Sequence, residues 1–218
     1  MSSPSLTGSA RARAAALAAV LAAVLAACST DSAVGPDPSR LAGVDAGTQL
    51  ARGAGRGEPR GMFEVPYMKQ TIDHHAMGVM MAQLCLEKAT HEELRDLCET
   101  NLANQSRELE QLQTWLGQWY GITYEPEMTP GAERMMEKLA ALIGAEFEIE
   151  FMETFSRHHW QIIHRSIPIA RNAIHEPLER MAETIIAAQY EDVRNMRTWL
   201  CDWYDVCRPV PPLPNSVQ

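Results

Sequence analysis

The sequence predicts an all-α protein, a four-helix bundle made of two copies of one helical hairpin. The folded region matches itself without a gap when it is shifted by 84 residues. Each copy contains two long segments with the apolar spacing of helices, separated by a short turn, and no segment has the alternation of a convincing strand. Two antiparallel hairpins that bury their apolar faces together form such a bundle.

The duplication is clearest at residues with distinctive chemistry. Two adjacent histidines, His74 and His75, recur as His158 and His159. Further identical pairs are Phe63 and Phe147, Glu64 and Glu148, Met68 and Met152, His91 and His175, Gln105 and Gln189, Trp115 and Trp199, Trp119 and Trp203, and Tyr120 and Tyr204. An ungapped match of this length indicates an internal repeat of one structural unit.

The first copy predicts a helix from about Phe63 to Ala89. Thr90, followed three residues later by Glu93, has the pattern of a capping box and predicts the start of the second helix. That helix extends to about Tyr120, and Gly121 suits its carboxyl end because glycine adopts a left-handed conformation without strain.

The second copy follows a longer connection. A short connecting helix is predicted to begin at Thr129–Pro130 and to end near Gly144. The next helix spans about Ala145 to Ala173, and Pro168 should kink it because proline lacks an amide hydrogen. Pro177 suits the first turn of the last helix.

The amino terminus has the organisation of an export signal. Two arginines precede an uncharged run from Ala14 to Ala27, which is shorter than the ~20 apolar residues that span a bilayer. The following Cys28 completes a sequence that resembles a bacterial lipobox, so residues 1–28 are interpreted as a lipoprotein signal peptide with Cys28 as the lipidated residue. The alternative is an ordinary secretory signal in which Cys28 has no role.

Composition divides the rest of the chain. Residues 29–61 are rich in Ser, Gly, Pro, Asp and Arg without apolar periodicity, which predicts a flexible tether to the membrane. The duplicated bundle covers residues 62–207, and residues 208–218 form an irregular Pro-rich tail. The net charge of −9 over 218 residues argues against a nucleic-acid partner, since phosphate binding needs a basic face.

Four cysteines follow Cys28, and an exported protein can pair them. Cys85 and Cys98 flank the first hairpin turn at nearly equal distances, and Cys201 and Cys207 lie close together at the end of the last helix. These two pairs are the expected disulfides. The alternative is that some cysteines are thiolate ligands for Cu(I) or zinc.

The paired histidines are the principal candidate metal ligands. Adjacent residues on a helix point about 100° apart, so one ring of each pair could bind inside the bundle and the other at a groove, or both could flank the inward face. A hairpin that turns symmetrically near Thr90 places His75 level with Glu108, and the second copy places His159 level with Asp192. The complete candidate set is His74, His75, His158, His159, Met68, Met77, Met81, Met152, Glu108 and Asp192.

Imidazole suits copper, zinc, iron and nickel, whereas thioether sulfur favours Cu(I). Copper is therefore the expected metal, with another transition metal as the alternative. The methionines could instead fill core space, and the histidines could be core hydrogen-bonding groups of a structural or interaction module. The terminal Trp, Trp and Tyr residues are interpreted as hydrophobic caps, and His91 and His175 as capping or surface groups.

An enzyme is the less favoured alternative. Di-iron carboxylate bundles use a Glu-x-x-His motif on two helices, and the helices that carry the histidine pairs lack it. A glycine-rich phosphate loop and a nucleophile elbow are also absent from the sequence. Holding or passing a metal ion, with an unidentified protein as the recipient, fits these observations better than catalysis.

Both copies share a pattern that resembles the bacterial domain of unknown function 305 family. In the first copy it consists of Phe63, Met68, His74, His75, Met81, Ala82, Gln105, Glu108, Trp115 and Leu116. In the second copy it consists of Phe147, Met152, His158, His159, Gln189, Asp192, Trp199 and Leu200. The resemblance implies a ferritin-like bundle, usually exported, with some members similar to periplasmic copper metallochaperones. Arg165 replaces the second motif methionine, and Trp160 and Pro168 also depart from the pattern, so the second site is expected to differ from the first.

Overall fold

The computed structural model describes residues 63–213, which contain five α-helices and no strand. They are α1 (Glu64–Lys88), α2 (Glu92–Tyr120), α3 (Pro130–Ala141), α4 (Gly144–Asn172) and α5 (Glu176–Tyr204). The predicted all-α class is confirmed. The signal peptide with Cys28, the 29–61 tether and the last five residues of the tail lie outside the described residues.

The four long helices pair as two hairpins, α1 with α2 and α4 with α5. Helices α1 and α4 pack against each other between the hairpins and run in opposite directions, whereas α2 and α5 barely touch. The short α3 lies against α1 and α4. The arrangement places both histidine pairs at the central α1–α4 contact.

Two helix ends agree with the predictions from the sequence, and one does not. Thr129 caps α3 by accepting a hydrogen bond from the backbone N–H of Ala132 at 3.2 Å, and Gly121 ends α2 with φ of 65°. The capping box predicted at Thr90 is wrong, because α2 begins at Glu92 after His91, without a side-chain cap. The Thr90 hydroxyl instead donates to Glu148 of α4 at 2.9 Å.

The α4 helix continues through Pro168 to Asn172, close to the predicted end, and the kink at Pro168 stays a prediction. Both expected disulfide pairs are bonded in the structure. The Cα atoms of Cys85 and Cys98 are 6.2 Å apart, and those of Cys201 and Cys207 are 4.3 Å apart. The first disulfide joins α1 to α2 beside the hairpin turn, and the second ties the segment after α5 back to that helix. These four sulfurs are therefore not thiolate ligands.

The bundle core contains three apolar clusters, and the two larger ones are separated by polar residues. One cluster surrounds Phe147, Phe151 and Phe155 and includes the first disulfide. The other surrounds Ile72 and Leu116 at the opposite end of the bundle. The buried polar side chains between these two larger clusters include the four paired histidines.

Candidate metal centre

The central layer, as we name it, is the set of buried polar side chains between the two larger apolar clusters. Its members come from all four long helices and are His74, His75, Asn101, Gln105, His158, His159 and Gln189. A polar side chain inside a bundle is costly unless it is hydrogen-bonded. The layer contains all four imidazoles predicted as ligands and concentrates the buried polar chemistry of the described chain.

His74 and His158 meet face to face where α1 crosses α4. Their ring centroids are 3.6 Å apart and their planes differ by 16°. The Nε2 of His74 lies 2.9 Å from the backbone carbonyl oxygen of His158. Since a carbonyl only accepts, this nitrogen carries the hydrogen and donates it.

Both stacked rings are held in the neutral form. Burial lowers the pKa of His74 well below its usual value, and the charge of His75 lowers it further. Burial likewise lowers the pKa of His158, with the charge of His74 as the next cause. A neutral imidazole is the form that binds a metal ion.

The other two imidazoles contact carboxylates, in the pairs that the hairpin register predicts. The Nε2 of His75 lies 2.8 Å from Glu108 of α2, at ion-pair distance but not aligned as a hydrogen bond. The Nε2 of His159 is hydrogen-bonded to Asp192 of α5 at 3.1 Å. Asn101 donates to the same Asp192 oxygen at 2.9 Å, so this carboxylate is held more firmly than Glu108.

His74 and His159 donate from Nε2 to an oxygen, which leaves Nδ1 of each as the nitrogen with the lone pair. The Nδ1 atoms of His74, His75 and His159 are all buried and have no hydrogen-bond partner. Metal-ligating histidines usually donate their other ring nitrogen to a carboxylate or a carbonyl. The donor set thus fits a transition metal. Within residues 63–213, however, no three His, Cys, Asp or Glu side chains converge to hold an ion.

Gly78 leaves room for two further unpartnered atoms of the layer. A Cβ at this position would lie 2.1 Å from Gln105 Oε1 and 3.0 Å from His158 Nε2. Neither atom has a hydrogen-bond partner. The equivalent position in the second copy is Ile162, which is fully buried. The two halves of the layer are therefore not equivalent, because one has space where the other has a side chain.

Replacing Gly78 by alanine should displace the Gln105 amide and disturb the layer. We expect a loss of about 1–3 kcal/mol in the free energy of unfolding, the usual cost of overpacking a filled core. Gly117→Ala in α2 is the matched control, since its Cβ would meet no atom within 4 Å and alanine favours helix by up to about 1 kcal/mol. Urea denaturation of both variants measures the difference. Equal stabilities would contradict the close contact at Gly78.

The predicted methionine ligands lie outside the central layer. Met68 belongs to one apolar cluster, and Met81 and Met152 belong to the other. Met77 is partly buried and packs against the second of these clusters. In this structure they act as core residues on either side of the imidazoles.

A pocket of about 90 Å³ lies where α2 and α5 separate. Its lining includes both histidine-bound carboxylates, Glu108 and Asp192, together with Gln105 and Gln189 of the layer. The carboxylates are 12% and 20% exposed, whereas the His75 and His159 side chains behind them are fully buried. The pocket therefore opens beside the carboxylates and amides of the site.

The sequence missed a second pair of sites, at the hairpin turns. His91 binds Glu148 through Nδ1 at 2.6 Å and stacks on Trp203 at 3.9 Å. The same contact recurs at the other turn, where His175 of the second copy binds Glu64 of the first copy at 2.6 Å. These sites could have been found from the sequence, because the glutamate and the histidine are each repeated in both copies.

These turn sites also correct the interpretation of the aromatic ends as purely hydrophobic caps. Tyr204 donates a short hydrogen bond to Glu148, and Tyr120 donates to Glu64 at 2.5 Å. Trp119 stacks on His175 with ring centroids 3.9 Å apart. Each bundle end is thus closed by a buried carboxylate that belongs to one hairpin and binds the turn of the other.

Solved structures with the same fold include proteins crystallised with metals. CopM in the Cu(II)-bound form is 25% identical, with a TM-score of 0.58 over 63% of this chain and 95% of CopM. CopM in the Ag-bound form is also 25% identical, with a TM-score of 0.56 over 64% and 96%. A DUF305 fragment from Deinococcus radiodurans is 24% identical, with a TM-score of 0.57 over 66% and 98%.

No curated protein sequence matches the chain. The family model described as Domain of unknown function (DUF305) matches residues 64–200, which is most of the folded region and more than half of the whole chain. The match begins at the first residue of α1 and ends within the last turn of α5, so it contains both copies of the hairpin. The chain belongs to the DUF305 family.

Proposed function

We propose that this protein binds a transition-metal ion in the central layer and holds it or passes it on without catalysing a reaction. Copper is the leading candidate for this ion. The main support for this proposal is that the Nδ1 atoms of His74, His75 and His159 are buried and have no hydrogen-bond partner. Copper is favoured over other ions because the CopM relatives were crystallised with copper and silver. Both metals accept imidazole and thioether ligands.

Binding requires a rearrangement of the layer. Stacked faces of His74 and His158 do not present their nitrogens to a common point, so one ring must turn for an ion to enter. Glu108 and Asp192 would orient His75 and His159 or bind the ion directly. Met68, Met77, Met81 and Met152 would be softer ligands only after the helices shift.

The proposed location is the extracytoplasmic face of a membrane, with Cys28 as the lipid anchor. The two disulfides fit an oxidising compartment. Within the described part of the chain, no helix has the length and apolar content needed to cross a bilayer. A metal-delivery partner protein would receive the ion there.

The test is the double variant His75→Asn and His159→Asn, which removes two lone pairs but keeps a polar side chain. We expect bound copper, measured by elemental analysis after dialysis, to fall at least tenfold while the circular dichroism spectrum stays helical. His164→Asn, an exposed histidine on α4, is the matched control and should retain copper. Full copper content in the folded double variant would overturn the proposal.

One observation favours a second function, a structural or interaction module of the envelope. The layer already satisfies part of its hydrogen bonding without a metal, through His74 with His158 and His159 with Asp192. Polar layers of this kind can fix the register of packed helices. If the layer serves this structural function, the double variant would lose stability, and neither the variant nor the parent protein would bind copper.

A further inference from the structure

Three arginines come together on the second hairpin, away from the central layer. We define the Arg197 cluster as Arg157 of α4, Arg197 of α5, Arg208 beyond the second disulfide, and Glu153 of α4. Arg197 interacts electrostatically with the other three members. Glu153 is the one carboxylate of the cluster, and it contacts Arg208 at 2.8 Å.

Arg197 has buried donors that nothing accepts. Its Nε and Nη1 atoms are buried and lack a hydrogen-bond partner. Burial lowers the pKa of Arg197, the charge of Glu153 opposes this, and the charges of Arg208 and Arg157 lower it further. An unsatisfied buried donor is costly, more so on a charged group. The neighbouring Glu153 does not remove this cost, because it contacts a different arginine.

The other two arginines are positioned but retain free donors. Arg208 donates from Nε to Glu153 at 2.8 Å, and Arg157 donates from Nη2 to Thr154 at 2.8 Å. A guanidinium carries five N–H donors, so each keeps several. Arg208 directly follows Cys207, whose disulfide to Cys201 ties this segment to the end of α5.

The equivalent positions in the first copy of the hairpin contact one another. The residues equivalent to Glu153, Arg157, Arg197 and Arg208 are Lys69, Asp73, Gln113 and Tyr124. Tyr124 donates to the Asp73 carboxylate at 2.9 Å, and Gln113 donates to the Tyr124 carbonyl at 2.9 Å. Lys69 lies over the Tyr124 ring at 5.0 Å. These side chains satisfy one another and balance their charges.

We infer that the Arg197 cluster binds a phosphate group. Where the first copy has a closed, neutral set, the second copy has three cations and one anion, which leaves donors in excess of acceptors. A phosphate carries several acceptor oxygens and matches guanidinium donors well, so it can engage more than one arginine at once. The source is either free phosphate or the headgroup of an anionic phospholipid, and both present the same chemistry.

The experiment compares the full-length protein with two variants that replace exposed arginines by glutamine. Arg157→Gln with Arg208→Gln removes two cluster cations and leaves buried Arg197 in place. Arg194→Gln is the control, because Arg194 lies on the same helix and pairs only with exposed Glu191 at the surface. Binding of inorganic phosphate is measured by calorimetry, and binding to vesicles of phosphatidylglycerol by co-sedimentation, with phosphatidylcholine vesicles as reference.

We expect saturable phosphate binding to the parent protein and to Arg194→Gln, and an affinity at least about tenfold weaker in the double variant. Vesicle binding that follows the same pattern, without measurable affinity for free phosphate, would identify the headgroup as the source. Phosphate also stabilises proteins generally by exclusion from their surface, and that effect would be equal in all three proteins. Equal behaviour of the three proteins in both assays would overturn the inference.

Discussion

Replacing Glu148 by alanine should lower the free energy of unfolding by about 3–5 kcal/mol, the usual cost of breaking a buried charged network. The Glu148 side chain is fully buried and binds the α1–α2 turn. It accepts hydrogen bonds from the backbone N–H and hydroxyl of Thr90, from the backbone and ring of His91, and from Tyr204. Its removal leaves these donors without their shared acceptor and separates the turn from α4.

Glu150→Ala is the matched control on the same helix. Glu150 pairs with Lys138 at 2.8 Å, and the lysine side chain is 63% exposed. Exposed ion pairs of this kind contribute less than about 1 kcal/mol. Urea denaturation of the two variants should therefore differ by several kcal/mol. A Glu148→Ala protein as stable as Glu150→Ala would show that the turn is held by other contacts.

Acid should destabilise the bundle through the same carboxylates. Burial acts to raise the pKa of Glu148, but hydrogen bonds from Tyr204, Thr90 and His91 outweigh it and lower the pKa to about 2, from an ordinary 4.5. The pKa of Glu64 is also lowered, by Tyr120 and His175 against the effect of burial. The unfolded chain thus binds these protons more readily than the folded protein. Stability is fully present above about pH 4.5 and is lost as pH falls toward 2.

The measurement is the free energy of unfolding between pH 2 and pH 6 for the parent protein and for Glu148→Gln. Glutamine keeps the shape but cannot titrate, so the stability difference between the two proteins should shrink as pH falls. A difference that stays constant across this range would contradict the assignment of the lowered pKa. Glu64→Gln provides the same comparison at the opposite end of the bundle.

The contacts within each hairpin were predictable from the sequence, because a symmetric turn fixes which residues lie level. His75 beside Glu108 and His159 beside Asp192 followed from that register. The contacts between hairpins were not predictable in this way. The stacking of His74 on His158 depends on how α1 crosses α4, which no local pattern specifies.

The failure at Thr90 has the same origin. In a capping box the Thr90 hydroxyl would accept from the Glu93 backbone N–H, but here it donates to Glu148 of the other hairpin. The need for glycine at position 78 could not be predicted either, because the atoms that a Cβ would meet there belong to Gln105 and His158 on two other helices. Local chemistry thus fixed the helices, and distant contacts decided how the layer between them is arranged.

The contacts of Glu64 and Glu148 with the turns of the opposite hairpins have a consequence for the origin of the chain. Each hairpin contributes a glutamate that binds the turn of the other, Glu64 at His175 and Glu148 at His91. A free hairpin therefore carries every group needed to close a symmetric dimer with a second copy of itself. Joining two such hairpins turns an association between molecules into one within a molecule, with a much higher effective concentration. Each copy can then diverge, as Gly78 and Ile162 have, without losing its partner.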